Sequence, residues 1–170
     1  VIITEIMANE IGGDTPGEWA EIYNAGNSPV DISGWRFADE DGNSPSDPFP
    51  EGFVIEPGEA VVIIGDGFEE DNLNEPVIDE DDFFAAWGAT NADGNPYRVI
   101  VQRDPITLAN TGSATNEVLT LIDSGGNPVD EANYQNGTDN WPPTTNGASI
   151  VLVADFLDPF ANDFGCAWAT

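Results

Sequence analysis

Oxygen-bearing side chains are the chemistry this sequence offers in quantity. Asp39-Glu40-Asp41-Gly42-Asn43 sets carboxylate and amide oxygens at alternate positions around a glycine turn, with Asp39, Asp41 and Asn43 as the candidate ligands. Such a loop suits Ca²⁺, which takes about six to eight oxygen ligands on flexible backbone. The run lacks the bidentate Glu that closes an EF-hand loop, and a solvated hairpin turn built from Asp and Gly stands as the alternative. A second cluster, Asp79-Glu80-Asp81-Asp82, packs like charges side by side, and a divalent ion on Asp79, Asp81 and Asp82 would relieve their repulsion. The same residues read equally as the acidic first turn of a helix, whose dipole stabilises carboxylates but opposes a cation. Asp66, Glu69, Glu70 and Asp71 repeat the pattern more weakly, and Asn91-Ala92-Asp93-Gly94-Asn95 reads as a plain turn. Ca²⁺ is thus the expected cofactor if these acids do more than face water.

Other chemistries are struck out by what is missing. The 170 residues include 32 acids, three bases and no His, a net charge of −29. All three bases are arginine: Arg36, Arg98 and Arg103. Without His there is no Ser-His-Asp or Cys-His catalysis and no His-ligated zinc. Without Lys there is no P-loop. The negative charge repels nucleic acid and anionic lipid, so neither is an expected partner. A pair of carboxylates is able to hydrolyse glycosides, but among so many acids chance pairs abound, and no enzymatic activity is expected.

The acids belong to a fold and not to a solvated tail. Apolar residues make up 40% of the chain and aromatics 10%, well above what a disordered acidic segment carries. One hydrophobic core and one domain spanning 1–170 are expected at this length. Self-repulsion at this charge predicts a saline or divalent-rich medium, where it is screened. The single Cys166 has no internal disulfide partner and reads as a small buried hydrophobe. Val1-Ile2-Ile3-Thr4 does not resemble a basic, apolar leader, which leaves open a leader already removed or a longer parent chain. The longest apolar runs, such as Ala60 to Ile64, are too short to insert into a membrane.

The elements that must position these side chains are strands. The dominant hydrophobic period is two, punctuated by 18 Gly and 13 Pro. Glu18 to Asn24 alternates cleanly: Trp19, Glu21 and Tyr23 face one way, Ala20 and Ile22 the other. Further strands are predicted at 1–7, 30–37, 53–55, 60–64, 98–102, 117–122, 129–134 and 149–153. Asp123-Ser124-Gly125-Gly126-Asn127 is the hairpin signal between two of them. One segment departs from this period. Asp79 to Gly88 carries acids first, apolar residues next and Gly last, which predicts one short helix inside a long acidic connection, 66–97.

These runs resemble the lamin tail domain family, an immunoglobulin-like sandwich found in nuclear lamins and in many secreted or surface-anchored bacterial proteins. The resemblance rests on Ile3-Thr4-Glu5-Ile6-Met7, on Glu18-Trp19-Ala20-Glu21-Ile22-Tyr23-Asn24, and on Val30-Asp31-Ile32-Ser33-Gly34-Trp35. It continues through Pro57-Gly58-Glu59-Ala60-Val61-Val62, Leu108 to Gly112, Leu119 to Asp123, Val129-Asp130 and Tyr134. It ends on Trp141-Pro142 and Gly147 to Ile150, with departures at the acidic connection and at 113–117. The resemblance implies an all-β, immunoglobulin-like antiparallel β-sandwich, no shared catalytic residues and a role in association. The composition points to a bacterial, extracellular or cell-surface setting in salt.

The aromatic residues supply the expected contact surface. Trp19 and Trp35 stand at family positions and read as core, whereas Trp87, Trp141 and Trp168 fall in connections or near the end. Phe156, Phe160, Phe164 and Trp168 recur every four residues in the segment 154–170, after the last predicted strand. They read either as a tail folded over the core or as a surface that docks on a partner. The expected function is a non-catalytic module that associates with itself, as homo-oligomer or filament, or with another cell-surface protein or polymer. An accessory domain of a longer secreted hydrolase or nuclease is the alternative.

Overall fold

Alternation along the second strand sets the layering of the molecule. The computed structural model describes residues 1–9, 17–38, 45–65, 79–91, 94–103, 108, 117–134 and 140–170. The strands are β1 (Ile2–Met7), β2 (Trp19–Tyr23), β3 (Val30–Asp31), β4 (Arg36–Ala38), β5 (Val54–Ile55) and β6 (Ala60–Gly65). A helix, α1 (Glu80–Trp87), follows, and then β7 (Arg98–Gln102), β8 (Glu117–Ile122), β9 (Pro128–Tyr134), β10 (Ile150–Leu152) and β11 (Trp168–Ala169). Six strands form one sheet in the order β11-β10-β1-β2-β6-β7, β4-β8-β9 form a second, and β3 pairs with β5.

Ala20 and Ile22 point to the inner face of the large sheet with Ile3, Ile6, Val61, Ile63 and Ile150. There they meet Phe37, Leu119, Leu121, Ala132 and Tyr134 from the opposing sheet. These side chains form the main core of the sandwich, and such burial is the dominant favourable term in folding. Trp19 points to the outer face, where a second core gathers Met7, Val62, Ile64 and Phe83 of α1. The large sheet is therefore covered on both faces along β2 and β6, which is why β6 reads as a near-continuous apolar run with buried residues on both sides.

The sandwich is not wholly antiparallel. β6 and β7 run parallel, with Val62 opposite Val99 and Ile64 opposite Val101. Parallel neighbours need a crossover of about a dozen residues or more, and the acidic connection that carries α1 provides it. With eight residues, α1 is too short to persist alone. Packing holds it: Phe83 meets the Trp19 ring edge-on at 5.8 Å and Tyr97 at 5.7 Å, and Trp87 meets Trp19 at 5.6 Å. Arg98 anchors the start of β7, donating to the Val54 carbonyl at 2.8 Å and to the Glu59 carboxylate at 2.9 Å while lying over the Phe53 ring.

The predicted hairpin is present between β8 and β9. Asp123 Oδ1 accepts from the amides of Gly125 and Asn127, both at 2.8 Å, and Gly126 takes the positive φ of 81° that the turn requires.

Candidate functional site

The acidic residues read as cation ligands divide in two. Asp39, Asp41 and Asn43 lie outside the described residues. Asp79, Asp81 and Asp82 are exposed at the start of α1, where the first backbone amides lack intrahelical partners. Asp79 Oδ1 accepts from the amides of Asp81 and Asp82 at 2.9 and 3.2 Å, and Asp82 Oδ2 accepts from the Asp79 amide at 3.1 Å. This is a reciprocal capping box, to which Asp81 contributes its N–H. Among the described residues no three acidic or cysteine side chains converge on one point.

The aromatic segment is brought together on the surface. After β10 the chain makes a single 3₁₀ turn at Ala154–Phe156, a run of turns, a second 3₁₀ turn at Gly165–Ala167, and then β11. Asp158 organises the middle: its carbonyl accepts from Ala161, and its carboxylate accepts from the Phe160 amide at 2.9 Å. The segment is fastened from below by fully buried Asn162 and by Gly165, where a Cβ would stand 2.4 Å from the Trp141 amide nitrogen. Held this way, Phe160 is 77% exposed and Phe164 63%, the two most exposed large apolar side chains among the described residues. Phe156 and Leu157 are exposed beside them. Phe156, Phe160, Ala161, Phe164 and Cys166 line an open cleft of about 320 Å³ whose walls are apolar.

Two expectations for this segment are corrected. Trp168 does not share the surface with the phenylalanines. It sits in the main core at 5% exposure, its ring 5.4 Å from that of Trp141, because its residue pairs with Leu152 as the edge strand of the large sheet. Trp141, expected in a contact surface, is buried with it, and Trp87 is half-buried against Trp19. Cys166 is exposed, not a buried hydrophobe, because the turn at Gly165–Ala167 aims its neighbours inward.

Pairs of acids also meet where the sequence alone gave no reason to look. Glu5 and Glu21 are cross-strand neighbours on the outer face of the large sheet. Glu21 accepts from the Thr4 hydroxyl at 2.8 Å and Glu5 from that of Ser149. Burial pushes the Glu21 carboxyl up to about 7, the Thr4 bond pulls it down, and the Glu5 charge adds to the rise. On β9, burial likewise pushes Asp130 up to about 7, against the pull of the Ile3 amide and of Asn162, with Asp163 adding to the rise. Asp130 is separated from Asn162 by 32 residues, so neither periodicity nor spacing could have joined them.

The lamin tail domain model matches residues 1–136, four-fifths of the chain and the strands from β1 through β9. The chain belongs to the lamin tail domain family. No curated protein matches the chain. Lamin tail domains are immunoglobulin-like, non-catalytic structural and interaction domains. The matched span ends before Trp141-Pro142 and Gly147 to Ile150, which the resemblance had included. The phenylalanine face and strands β10 and β11 lie outside the matched span.

Proposed function

We propose that this lamin tail domain is a non-catalytic interaction module that holds a cell-surface protein through the face formed by Phe156, Phe160 and Phe164. The observation that carries this reading is the exposure of Phe160 and Phe164 on backbone fastened by buried anchors. Exposed apolar side chains on a fixed frame mark association surfaces. Charge selects the occupant. Asp158 lines the cleft, Asp155 and Asp163 adjoin the phenylalanines in sequence, and a second copy brings another −29 with only three arginines. The complementary partner carries apolar residues inside a rim of Lys or Arg. The acidity favours a saline, extracellular setting, where screening or Ca²⁺ limits self-repulsion while the apolar contact persists.

The test uses two labelled peptides that share a Phe-Leu-Phe centre, one flanked by Lys and the other by Glu, with anisotropy read in moderate salt. The Lys-flanked peptide is expected to bind, the Glu-flanked one to fail, and the Phe160→Ser/Phe164→Ser double variant to lose binding. Equal binding by the double variant overturns the face. Concentration-dependent dimers in sedimentation runs at high salt, abolished by the same variant, would replace the basic partner with a second copy.

A further inference from the structure

Asp130, on β9 and 5% exposed, spends one carboxylate oxygen on structure: Oδ2 accepts from the Ile3 amide at 2.7 Å and from Asn162 Nδ2 at 2.6 Å. Its Oδ1 is buried with no hydrogen-bond partner. Asn162, 0% exposed, is in the same position: its Nδ2 is committed to Asp130, and its Oδ1 has no partner. The amide cannot be turned round, since its oxygen would then face the carboxylate, acceptor against acceptor. Two buried acceptors on bonded residues, both without a donor, call for either a proton on Asp130 or a cation between them. Asp163 follows directly, and its charge reaches Asp130. Asp130 and Asp163 together line an open cleft of about 400 Å³ with Pro128, Glu131 and Phe160, which gives an ion a way in.

We propose that Asp130, Asn162 and Asp163 form a Ca²⁺ site. The donors are hard oxygens, two carboxylates and one amide carbonyl, the set that Ca²⁺ takes in preference to softer metals. The cleft leaves room for water to complete the shell. The burial that penalises the Asp130 charge is what a bound cation offsets. This site is separate from the acidic runs in the sequence and does not rest on the proposed partner face.

The location supplies its own reporter. Trp168 Nε1 donates to the Asn162 carbonyl at 2.8 Å, which puts an indole beside the site. Tb³⁺ standing in for Ca²⁺ is titrated into chelator-treated protein in about 1 M NaCl, where diffuse binding to surface acids is screened. Tryptophan-excited Tb³⁺ emission is expected to saturate and to be displaced by Ca²⁺ in the range of about 10⁻⁴ to 10⁻³ M. Asp163→Asn, at an exposed position that leaves the fold in place, is expected to weaken Tb³⁺ by roughly tenfold or more. Asp81→Asn, in the first turn of α1, is expected to leave the titration unchanged. Emission that rises without saturating overturns the proposal, as does an Asp163→Asn curve that superimposes on the parent. A loss in Asp81→Asn equal to that in Asp163→Asn moves the ion to α1 and overturns it equally.

Discussion

Glu21 sits across the strand from Glu5, and the Thr4 hydroxyl donates to its carboxylate. Its folded pKa, about 7, stands above the ordinary value of 4.5, so the folded state holds the proton over that interval more tightly than the unfolded chain. Stability contributed by the protonated form is therefore full below about 4.5 and is lost as pH rises to about 7. Glu21→Gln keeps an acceptor for Thr4 and removes the charge. In melts at constant ionic strength the variant is expected to match the parent near pH 4.5 and to exceed it near pH 8, by on the order of 2 kcal/mol. Parallel curves across that range would show that Glu21 is not the titrating group. Asn24 gives the opposite case, a buried polar group fully used: Nδ2 donates to the Ser28 and Ile55 carbonyls and Oδ1 accepts from Gly26. Asn24→Ala strands two acceptors and is expected to cost about 1–3 kcal/mol in denaturant titrations at any pH.

At the scale of elements, α1 depends on its cap and on the tryptophans beneath it. Asp79→Ala removes the acceptor for two amides and is expected to cost about 1 kcal/mol, seen as a lower melting temperature and altered Trp19 and Trp87 fluorescence. A helix cap predicts the same loss with Ca²⁺ and with chelator; a loss confined to Ca²⁺ would assign Asp79 to a cation. Much at this scale was legible in the sequence. The alternation of Trp19, Glu21 and Tyr23 against Ala20 and Ile22 gave β2 its two opposite faces, and Asp123-Ser124-Gly125-Gly126-Asn127 placed the β8–β9 turn. What was not legible depends on partners distant in sequence. The run from Arg98 to Gln102 has the same period whether its neighbour runs parallel or antiparallel, and only the crossover through α1 decides. The spacing of Phe156, Phe160, Phe164 and Trp168 is uniform, yet pairing with Leu152 takes Trp168 into the core and leaves the phenylalanines outside. The Asp130–Asn162 contact was hidden for the same reason.

At the scale of the whole molecule the charge of −29 acts on every pair of surface acids at once. Repulsion of this range is set by the screening length, about 30 Å at 0.01 M salt and about 3 Å at 1 M. The melting temperature is expected to climb steeply over that interval with NaCl and to level off beyond it; a flat response would place the acids far enough apart to be neutral in effect. Salt also separates the two proposals, since it weakens a Lys-rimmed peptide more than an ion held directly by the buried Asp130 and Asn162.

The large sheet closes late in the chain. β1 has β2 on one side and β10 on the other, with Ile6 opposite both Ala20 and Ile150, and β10 is in turn bordered by β11 at the extreme end of the described chain. A polypeptide emerging from the ribosome therefore carries its first strand half-paired until residue 150 has been made. Contacts of such long sequence separation form slowly. The stretch that matches the family model is, for this chain, shorter than the stretch that has to fold: a polypeptide ended at 136 would present the open edge of β1 to any strand nearby.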